Sequence, residues 1–258
     1  RLALHSRDVR PTDMMRNVCL VVQYDGTQYA GFQAQPDRPT VQCELERALS
    51  SLLQQPTRVQ GASRTDAGVH AFGQVVTFKT ENVIPVERLR GALNGLLPDD
   101  IVCVRASEVP ADFRPHYTAR RKQYSYRILN RELPSPFLAR YAWHLRRPLD
   151  VEAMSEAGQH LVGAHDFAAF CAAHGSAKTS VREVYALDML RDAEIVEMRI
   201  EGNGFLYMMV RIIMGTLTEV GLGKLAPSRV GEILFSRDRN QAGPTAPPQG
   251  LSLVRIDY

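Results

Sequence analysis

The chain has 258 residues, of which 45% are hydrophobic and 23% charged, and its formal net charge is +3. These ordinary values exclude a largely disordered chain, and the length suits one large domain or two smaller ones. No stretch contains the roughly 18 uncharged apolar residues that a membrane-spanning helix requires, and the mild basicity is compatible with an RNA partner without identifying one.

The first part of the chain predicts an arm followed by an α/β half. Residues 1–15 are polar and aperiodic, so we interpret them as a disordered arm or as sequence upstream of the true start. Residues 16–110 then predict the element order β-α-β-β-α-β from their apolar periods. The predicted strands lie at residues 18–24, 57–61, 74–79 and 101–108, and the helices at residues 41–53 and 86–94. Thr40 stands where its hydroxyl can cap the first helix.

Residues 111–258 predict a second half with similar elements. The predicted strands lie at residues 122–129, 184–190, 195–200 and 251–256, and the helices at residues 151–161, 205–221 and 227–235. Asp150 is positioned to cap the first of these helices, and residues 243–248 form a proline-rich connector. The pattern predicts an α+β protein whose two sheet-bearing α/β halves, of ferredoxin-like or RRM-like character, border a central cleft.

A loop between two predicted strands concentrates reactive residue types. It contains Arg64, Asp66, Gly68 and His70, and loops held by rigid strands often carry function. A simple turn explains the same residues, with the Asp66 side chain bonded to the local backbone and Gly68 at positive φ. The residue types alone leave both interpretations open, and His70 is interpreted as structural.

Two tyrosines share one face of the predicted strand at residues 122–129. Tyr124 and Tyr126 are two positions apart, so their side chains point the same way. They are either core residues or a platform on which a nucleic-acid base stacks. A basic run leads into this strand: Arg114, His116, Arg120, Arg121 and Lys122. This run is either a solvated charged surface or a set of contacts to RNA phosphates.

Arg211 lies in the predicted helix at residues 205–221, which is apolar nearly all round. Such a helix is predicted to be buried. A buried guanidinium without an anionic partner is very costly, so an anion must meet Arg211. A structural acid, a catalytic carboxylate and a phosphate all satisfy this requirement. If the partner is Asp66, the arginine would keep that carboxylate ionised at neutral pH.

Five segments, taken together, resemble the tRNA pseudouridine synthase A family. Residues 24–33 (YDGTQYAGFQ) resemble its first signature, and residues 64–71 (RTDAGVHA) its catalytic motif. The Tyr124-x-Tyr126 pair, residues 205–215 and residues 246–253 (APPQGLSL) resemble its later motifs, in family order. Ser63 and Phe32 stand where the family often has glycine and tryptophan; these departures affect loop geometry and remove no reacting group.

The resemblance implies an isomerase with a pseudouridine synthase fold that needs neither a cofactor nor a metal. The family detaches uracil from C1′ of the ribose, turns it, and rejoins it through C5. Asp66 would be the nucleophile, or the base that starts glycosidic cleavage, and Arg211 its ion-pair partner. Tyr124 would stack on the uracil and can relay a proton. The expected RNA-binding residues are Tyr124, Arg64, Arg114, Arg120, Arg121 and Lys122.

The resemblance also implies a substrate and an assembly. The family acts on positions 38 to 40 of the tRNA anticodon stem-loop and is typically a homodimer, with one tRNA reaching across both subunits. A cytoplasmic location is expected, because the four cysteines lack metal-ligand spacing and fit a reducing compartment. Two alternatives stay open. One is a non-catalytic tRNA-binding protein on the same fold; the other is a hydrolase such as a glycosidase, which usually needs two carboxylates.

Overall fold

The computed structural model describes residues 15–173 and 177–258, so the predicted arm, apart from Met15, lies outside the described residues. Ten strands are present in the described ranges: β1 (Arg16–Tyr24), β2 (Gln60–Gly61), β3 (His70–Thr80), β4 (Ile101–Val109), β5 (Arg121–Asn130), β6 (Trp143–Leu145), β7 (Gly163–Asp166), β8 (Val181–Asp192), β9 (Ile195–Gly202) and β10 (Leu251–Asp257). Six α-helices accompany them: α1 (Val41–Leu53), α2 (Val86–Asn94), α3 (Pro115–Thr118), α4 (Val151–Gln159), α5 (Met209–Gly221) and α6 (Arg229–Ser236).

The strands form one sheet in the order β4-β1-β3-β10-β5-β9-β8-β7, with β2 beside β3 and β6 beside β5. The predicted α+β class is confirmed. The C-terminal strand β10 enters between β3 and β5, pairing parallel with the first and antiparallel with the second. Strands from both predicted halves therefore belong to one continuous sheet. The division of the chain into two halves near residue 110 stays a prediction.

Several predicted element ends match the structure because their capping groups are present. Helix α1 begins after Thr40, whose Oγ1 accepts a hydrogen bond from the Cys43 backbone N at 3.3 Å. Helix α4 begins after Asp150, whose carboxylate accepts from the Ala153 backbone N at 2.9 Å. A side-chain acceptor at this position satisfies one of the free backbone donors of a helix start.

Several predictions of element length are wrong; strand β3, for example, begins at His70 and not at residue 74. Helix α5 begins at Met209, not at residue 205, because Met208 has a φ of 59°, in the left-handed region, where a right-handed helix cannot continue. Residues 205–208 continue the apolar pattern although they are not helical, because they line a cleft. The strand predicted at residues 57–61 is reduced to Gln60–Gly61, where pairing with β3 occurs. None of the described helices combines the length and the apolar character needed to cross a membrane.

A connector between α6 and β10 fastens α5 to the sheet. The Gly243 backbone N donates to Thr216 Oγ1 at 2.9 Å, and the Ala246 backbone N donates to the carbonyl oxygen of Arg211 at 3.1 Å. On the sheet side, the Tyr126 hydroxyl donates to the Pro247 carbonyl oxygen at 2.7 Å. The segment that resembles the closing motif thus fixes the helix that carries Arg211.

We expect Gly215→Ala to destabilise the protein at this contact. A Cβ at residue 215 would lie 1.7 Å from the Pro244 carbonyl oxygen, and that backbone atom cannot move without shifting the connector. Overpacking of this kind costs about 1–3 kcal/mol, which corresponds to a melting temperature lower by roughly 2–10 °C. The matched control is Gly91→Ala in α2, where a Cβ meets no atom within 4 Å. Thermal unfolding that is equal in the two variants would contradict this account.

Candidate active site

A cleft of about 1010 Å³ brings together the three main predicted site residues. Its walls come from the loop before β3, from β5, and from the segment that leads into α5. Asp66, Tyr124 and Arg211 all line it. They come from distant parts of the sequence and meet because β10 pairs with both β3 and β5, so that one strand separates these two.

Asp66 and Arg211 form an ion pair, with Arg211 Nη1 3.1 Å from Asp66 Oδ2. The side chains are mostly buried, with exposed fractions of 19% for Asp66 and 11% for Arg211. Burial raises the pKa of the Asp66 carboxyl above its ordinary value, while the hydrogen bond and the charge of Arg211 lower it only in part. The predicted contact is therefore present, and the arginine favours the charged carboxylate against a larger effect of burial.

The guanidinium of Arg211 is aimed by a second hydrogen bond. Its Nε donates to the Ala246 carbonyl oxygen at 2.8 Å, and the Arg211 carbonyl in turn accepts from the Ala246 N. The planar guanidinium has five N–H donors in a fixed fork, so fixing Nε also fixes the direction of Nη1. The connector therefore points the charge of Arg211 at the carboxylate of Asp66.

The loop that carries Asp66 is held on both sides by buried polar contacts. Gln74 Nε2 donates to the Ser63 carbonyl oxygen at 2.6 Å, and the Tyr24 hydroxyl lies 2.7 Å from Thr65 Oγ1. Within the loop, the Val69 backbone N donates to the Asp66 carbonyl oxygen at 3.1 Å. Gly68 has a φ of 76°, as the turn interpretation requires. The segment is both a tight turn and the carrier of a cleft carboxylate.

Two residues of the first signature help to hold this loop. The Phe32 backbone N donates to the Thr65 carbonyl oxygen at 3.1 Å, and the Gly68 N donates to the Tyr29 carbonyl oxygen at 3.3 Å. Tyr24 and Gln74 were not identified as site residues from the sequence, because an alternating strand pattern accounts for both positions. Their role becomes visible only where the strands and the loop meet.

Tyr124 is buried in the cleft wall with 6% of its surface exposed. Its hydroxyl lies 2.9 Å from Ser63 Oγ, and its ring packs edge-on against Phe205 at 5.2 Å between centroids. Burial raises the pKa of the Tyr124 phenol to about 12, so the hydroxyl stays protonated near neutral pH. Tyr126, by contrast, is fully buried in the core, so the predicted two-tyrosine face contributes Tyr124 alone to the cleft lining.

The predicted basic residues divide into two groups. Arg64 and Lys122 line the cleft, whereas Arg114, Arg120 and Arg121 lie outside its lining. Arg121 is engaged on the surface, with Nη1 2.8 Å from Glu201 Oε2. Lys122 is only 7% exposed, so it is not the surface cation that the basic run suggests.

The cleft is strongly basic for a reason that the sequence does not display. Among the described residues that line it, six are arginine or lysine and Asp66 is the one acid. Three of these cations were not predicted, because each is isolated in the sequence: Arg38, Lys178 and Arg182. A concave surface with this charge attracts a polyanion such as RNA. The single carboxylate also disfavours a glycosidase, which usually needs two.

His70 contacts mainly backbone atoms, as the prediction of a structural role implies. Its Nδ1 accepts from the Gly26 backbone N at 3.0 Å, and its Nε2 lies 2.8 Å from the Arg140 carbonyl oxygen. Its Nδ1 also lies 3.1 Å from Asp25 Oδ1. In the described part of the chain, no group of three or more His, Cys, Asp or Glu side chains is arranged to hold a metal ion.

The chain matches one family model and many curated relatives. The model described as tRNA pseudouridine synthase matches residues 20–118 and 157–258. A protein of Thermoanaerobacter sp. (strain X514), named tRNA pseudouridine synthase A, is 50% identical over 244 residues, which are 95% of this chain and 100% of that protein. Proteins with the same name from Acetivibrio thermocellus and Brevibacillus brevis are 48% and 47% identical, again over 95% of this chain and 100% of each relative.

Likeness to solved structures is weaker. A chain of the archaeal box H/ACA sRNP Nop10–Cbf5 complex is similar over 88% of this chain and 59% of its own length. The identity is 11% and the TM-score 0.37. At that score the likeness carries no argument, and the assignment rests on the family model and the relatives.

Proposed function

Because this chain belongs to the tRNA pseudouridine synthase family, we propose that it converts uridine to pseudouridine at positions 38, 39 and/or 40 of the tRNA anticodon stem-loop. Members of this family are isomerases that act on uridine in tRNA, and this chain is one of them. The observation that carries the assignment of the site is the Asp66–Arg211 ion pair, 3.1 Å long, inside the basic cleft.

Asp66 starts the reaction in this proposal. Isomerisation breaks the bond between C1′ of the ribose and N1 of uracil and forms a bond between C1′ and C5. The C5 proton is lost and N1 gains a proton, so no atom is added and no oxidant or reductant is needed. A carboxylate acts on the sugar only when it is ionised. The Arg211 guanidinium supports that state, since its charge lowers the pKa that burial raises.

Tyr124 and Arg64 contact the substrate in this proposal. The Tyr124 ring forms part of the cleft wall near Asp66, where it can stack on a uracil, and its protonated hydroxyl can pass a proton during the rearrangement. Arg64 is exposed at the cleft and follows Ser63 directly, so it can contact the RNA backbone or take the place of the extruded base.

A buried carboxylate requires that the target nucleotide leave its stack. Flipping costs a few kcal/mol and costs least for a weakly held base. A uridine near the junction of the anticodon stem and loop meets that condition, which supports positions 38 to 40. The competing candidate, a tRNA-binding protein without activity, is disfavoured because the chain belongs to a family of isomerases.

The assembly and location complete the proposal. We propose a homodimer in which one tRNA reaches across both subunits, and a cytoplasmic site of action, in keeping with the four free cysteines. Light scattering of the purified protein would test the first point. The expected mass is twice the 28.8 kDa of one chain, and a single-chain mass would contradict it.

The target positions are tested by mapping pseudouridine at nucleotide resolution. Unmodified tRNA transcripts with uridine at positions 38, 39 and 40 are incubated with the protein, and transcripts carrying cytidine at these three positions serve as the matched control. We expect modification at one or more of the three positions in the first set and none in the second. Modification confined to other uridines would contradict the proposed target and leave the isomerase assignment intact.

A further inference from the structure

Lys122 joins the strand of Tyr124 to the start of the Asp66 loop. Its Nζ donates to the Ala62 carbonyl oxygen at 2.9 Å and to Ser63 Oγ at 3.5 Å. We propose that Lys122 is a positioning residue that fixes the Asp66 loop and the Tyr124 hydroxyl relative to each other, and that it does not contact an RNA phosphate. This inference rests on the proposed reaction at Asp66.

Burial argues against a phosphate contact. Lysine binds phosphate as a strongly hydrated point charge on a flexible stem, whereas Lys122 is 7% exposed. Its backbone neighbours are Gly202 in β9 and Ile256 in β10, so it stands on a central strand, not at an edge. Burial, with a smaller contribution from the charge of Arg182, lowers the pKa of Lys122 to about 8. An ammonium group kept in such a place must make hydrogen bonds inside the protein.

The donors and acceptors of Lys122, Ser63 and Tyr124 limit the directions that these hydrogen bonds can take. A charged lysine has three donors and no acceptor, so Ser63 Oγ accepts from Lys122. Ser63 Oγ lies 2.9 Å from the Tyr124 hydroxyl, and either oxygen can be the donor of this hydrogen bond. In the proposed arrangement, Ser63 donates its one hydrogen to the Tyr124 oxygen, and the Tyr124 hydrogen points into the cleft. The network from Lys122 through Ser63 to Tyr124 would then present the phenol as a donor toward the substrate.

The Ala62 carbonyl is fixed from two sides. His116 Nδ1 lies 3.1 Å from the same oxygen that accepts from Lys122, so both nitrogens donate to it. Ala62 itself is fully buried. Loss of the Lys122 donor would remove one of the two hydrogen bonds to this carbonyl, which lies four residues before Asp66. A displacement of about 1 Å in such a group can lower a rate by on the order of 100-fold.

Lys122→Met tests the proposal because it removes the ammonium and keeps an unbranched apolar stem. With tRNA labelled by tritium at uracil C5, we expect the single-turnover rate at saturating tRNA to fall about 10- to 100-fold. The dissociation constant for tRNA and its salt dependence should stay unchanged. A lost phosphate contact would instead weaken binding and reduce the slope of log affinity against log salt by about 0.9. That result, with an unchanged rate, overturns the proposal.

Two other lysines calibrate the binding measurement. Lys178 is exposed and lines the cleft, so Lys178→Met should show the weaker binding and the smaller salt slope that Lys122→Met should not show. Lys79 is exposed on β3 outside the cleft lining, and Lys79→Met should change neither the rate nor the binding. If Lys122→Met behaves like Lys178→Met, the sequence-based interpretation of a phosphate contact is restored.

Ser63 provides a second test if Lys122→Met does not fold. Ser63→Ala should lower the single-turnover rate by about 3- to 10-fold, because one hydrogen bond in the chain is lost, and Ser63→Thr should restore it by returning a hydroxyl. The double variant should be no slower than Lys122→Met by more than about twofold, since the two residues act in one network. Independent, multiplying effects, or no effect of Ser63→Ala, would count against the network.

The outcome is separable from that of the proposed function. If the wild-type protein modifies a uridine outside positions 38 to 40, the proposed target fails, and the variants are compared on that uridine. If it releases no tritium from any tRNA, the proposed function fails by itself. In that case an unchanged dissociation constant and salt slope in Lys122→Met still support the absence of a phosphate contact at Lys122. A reduced salt slope still contradicts it.

Discussion

Asp66→Asn should abolish the isomerisation, with tritium release from C5-labelled tRNA lowered by about 10⁴-fold or more, the scale seen when a reacting group is removed. Asparagine has nearly the same size and keeps an oxygen that accepts from Arg211 Nη1, so the loop should keep its place. It lacks the negative charge that attack or proton abstraction requires. Binding of tRNA should persist, because the cleft loses its one described acid and keeps its cations.

The design separates catalysis from folding and binding. Asp188→Asn on β8 is the matched control, since this carboxylate is exposed and lies outside the cleft lining; it should leave release, binding and thermal unfolding unchanged. A protein that only binds tRNA would release no label even as wild type, and a hydrolase would free labelled uracil instead of labelled water. Full activity in Asp66→Asn would remove Asp66 from the mechanism.

The meeting of Asp66 and Arg211 could be expected from the sequence because two separate constraints point to it. An arginine in a helix that is apolar nearly all round needs an anion. The motif that contains Asp66 offers an acid in a loop between strands. The fold follows for a similar reason: the apolar periods and the capping residues Thr40 and Asp150 determine most of the elements. Elements that such local patterns predict are therefore present in the folded chain.

What could not be expected depends on contacts between distant segments. The basic run suggested a surface role for Lys122, but its burial follows from its position on a strand with neighbours on both sides. Tyr126 shares a strand face with Tyr124 by alternation, yet its hydroxyl is taken up by the Pro247 carbonyl in the core. The start of α5 at Met209 depends on the backbone at Met208, where the apolar period gives no signal. Arg38, Lys178 and Arg182 converge only through the tertiary fold.

Arg211→Met should lower the single-turnover rate at neutral pH by on the order of 100-fold. The Asp66 carboxylate would lose the neighbouring positive charge and an aligned hydrogen-bond donor. Burial already raises the pKa of Asp66, and the Arg211 hydrogen bond and charge are what oppose that rise. The reactive form is the ionised one, so activity is lost as the pH falls through the pKa of Asp66. Without the arginine this pKa rises further, and the acid limb of the rate–pH profile should move to higher pH.

Arg211→Lys distinguishes the charge from the geometry. Lysine keeps the charge but lacks the rigid fork that reaches the Ala246 carbonyl and Asp66 together. Its acid limb should lie between those of the wild type and Arg211→Met, with a lower plateau caused by poorer alignment. Arg229→Met on α6, whose partner Glu232 is an exposed surface acid, is the control and should leave the profile unchanged. An acid limb that stays in place in Arg211→Met, in a protein that still melts cooperatively, would mean that Arg211 does not control the charge of Asp66. The guanidinium would then serve only to hold the connector to α5.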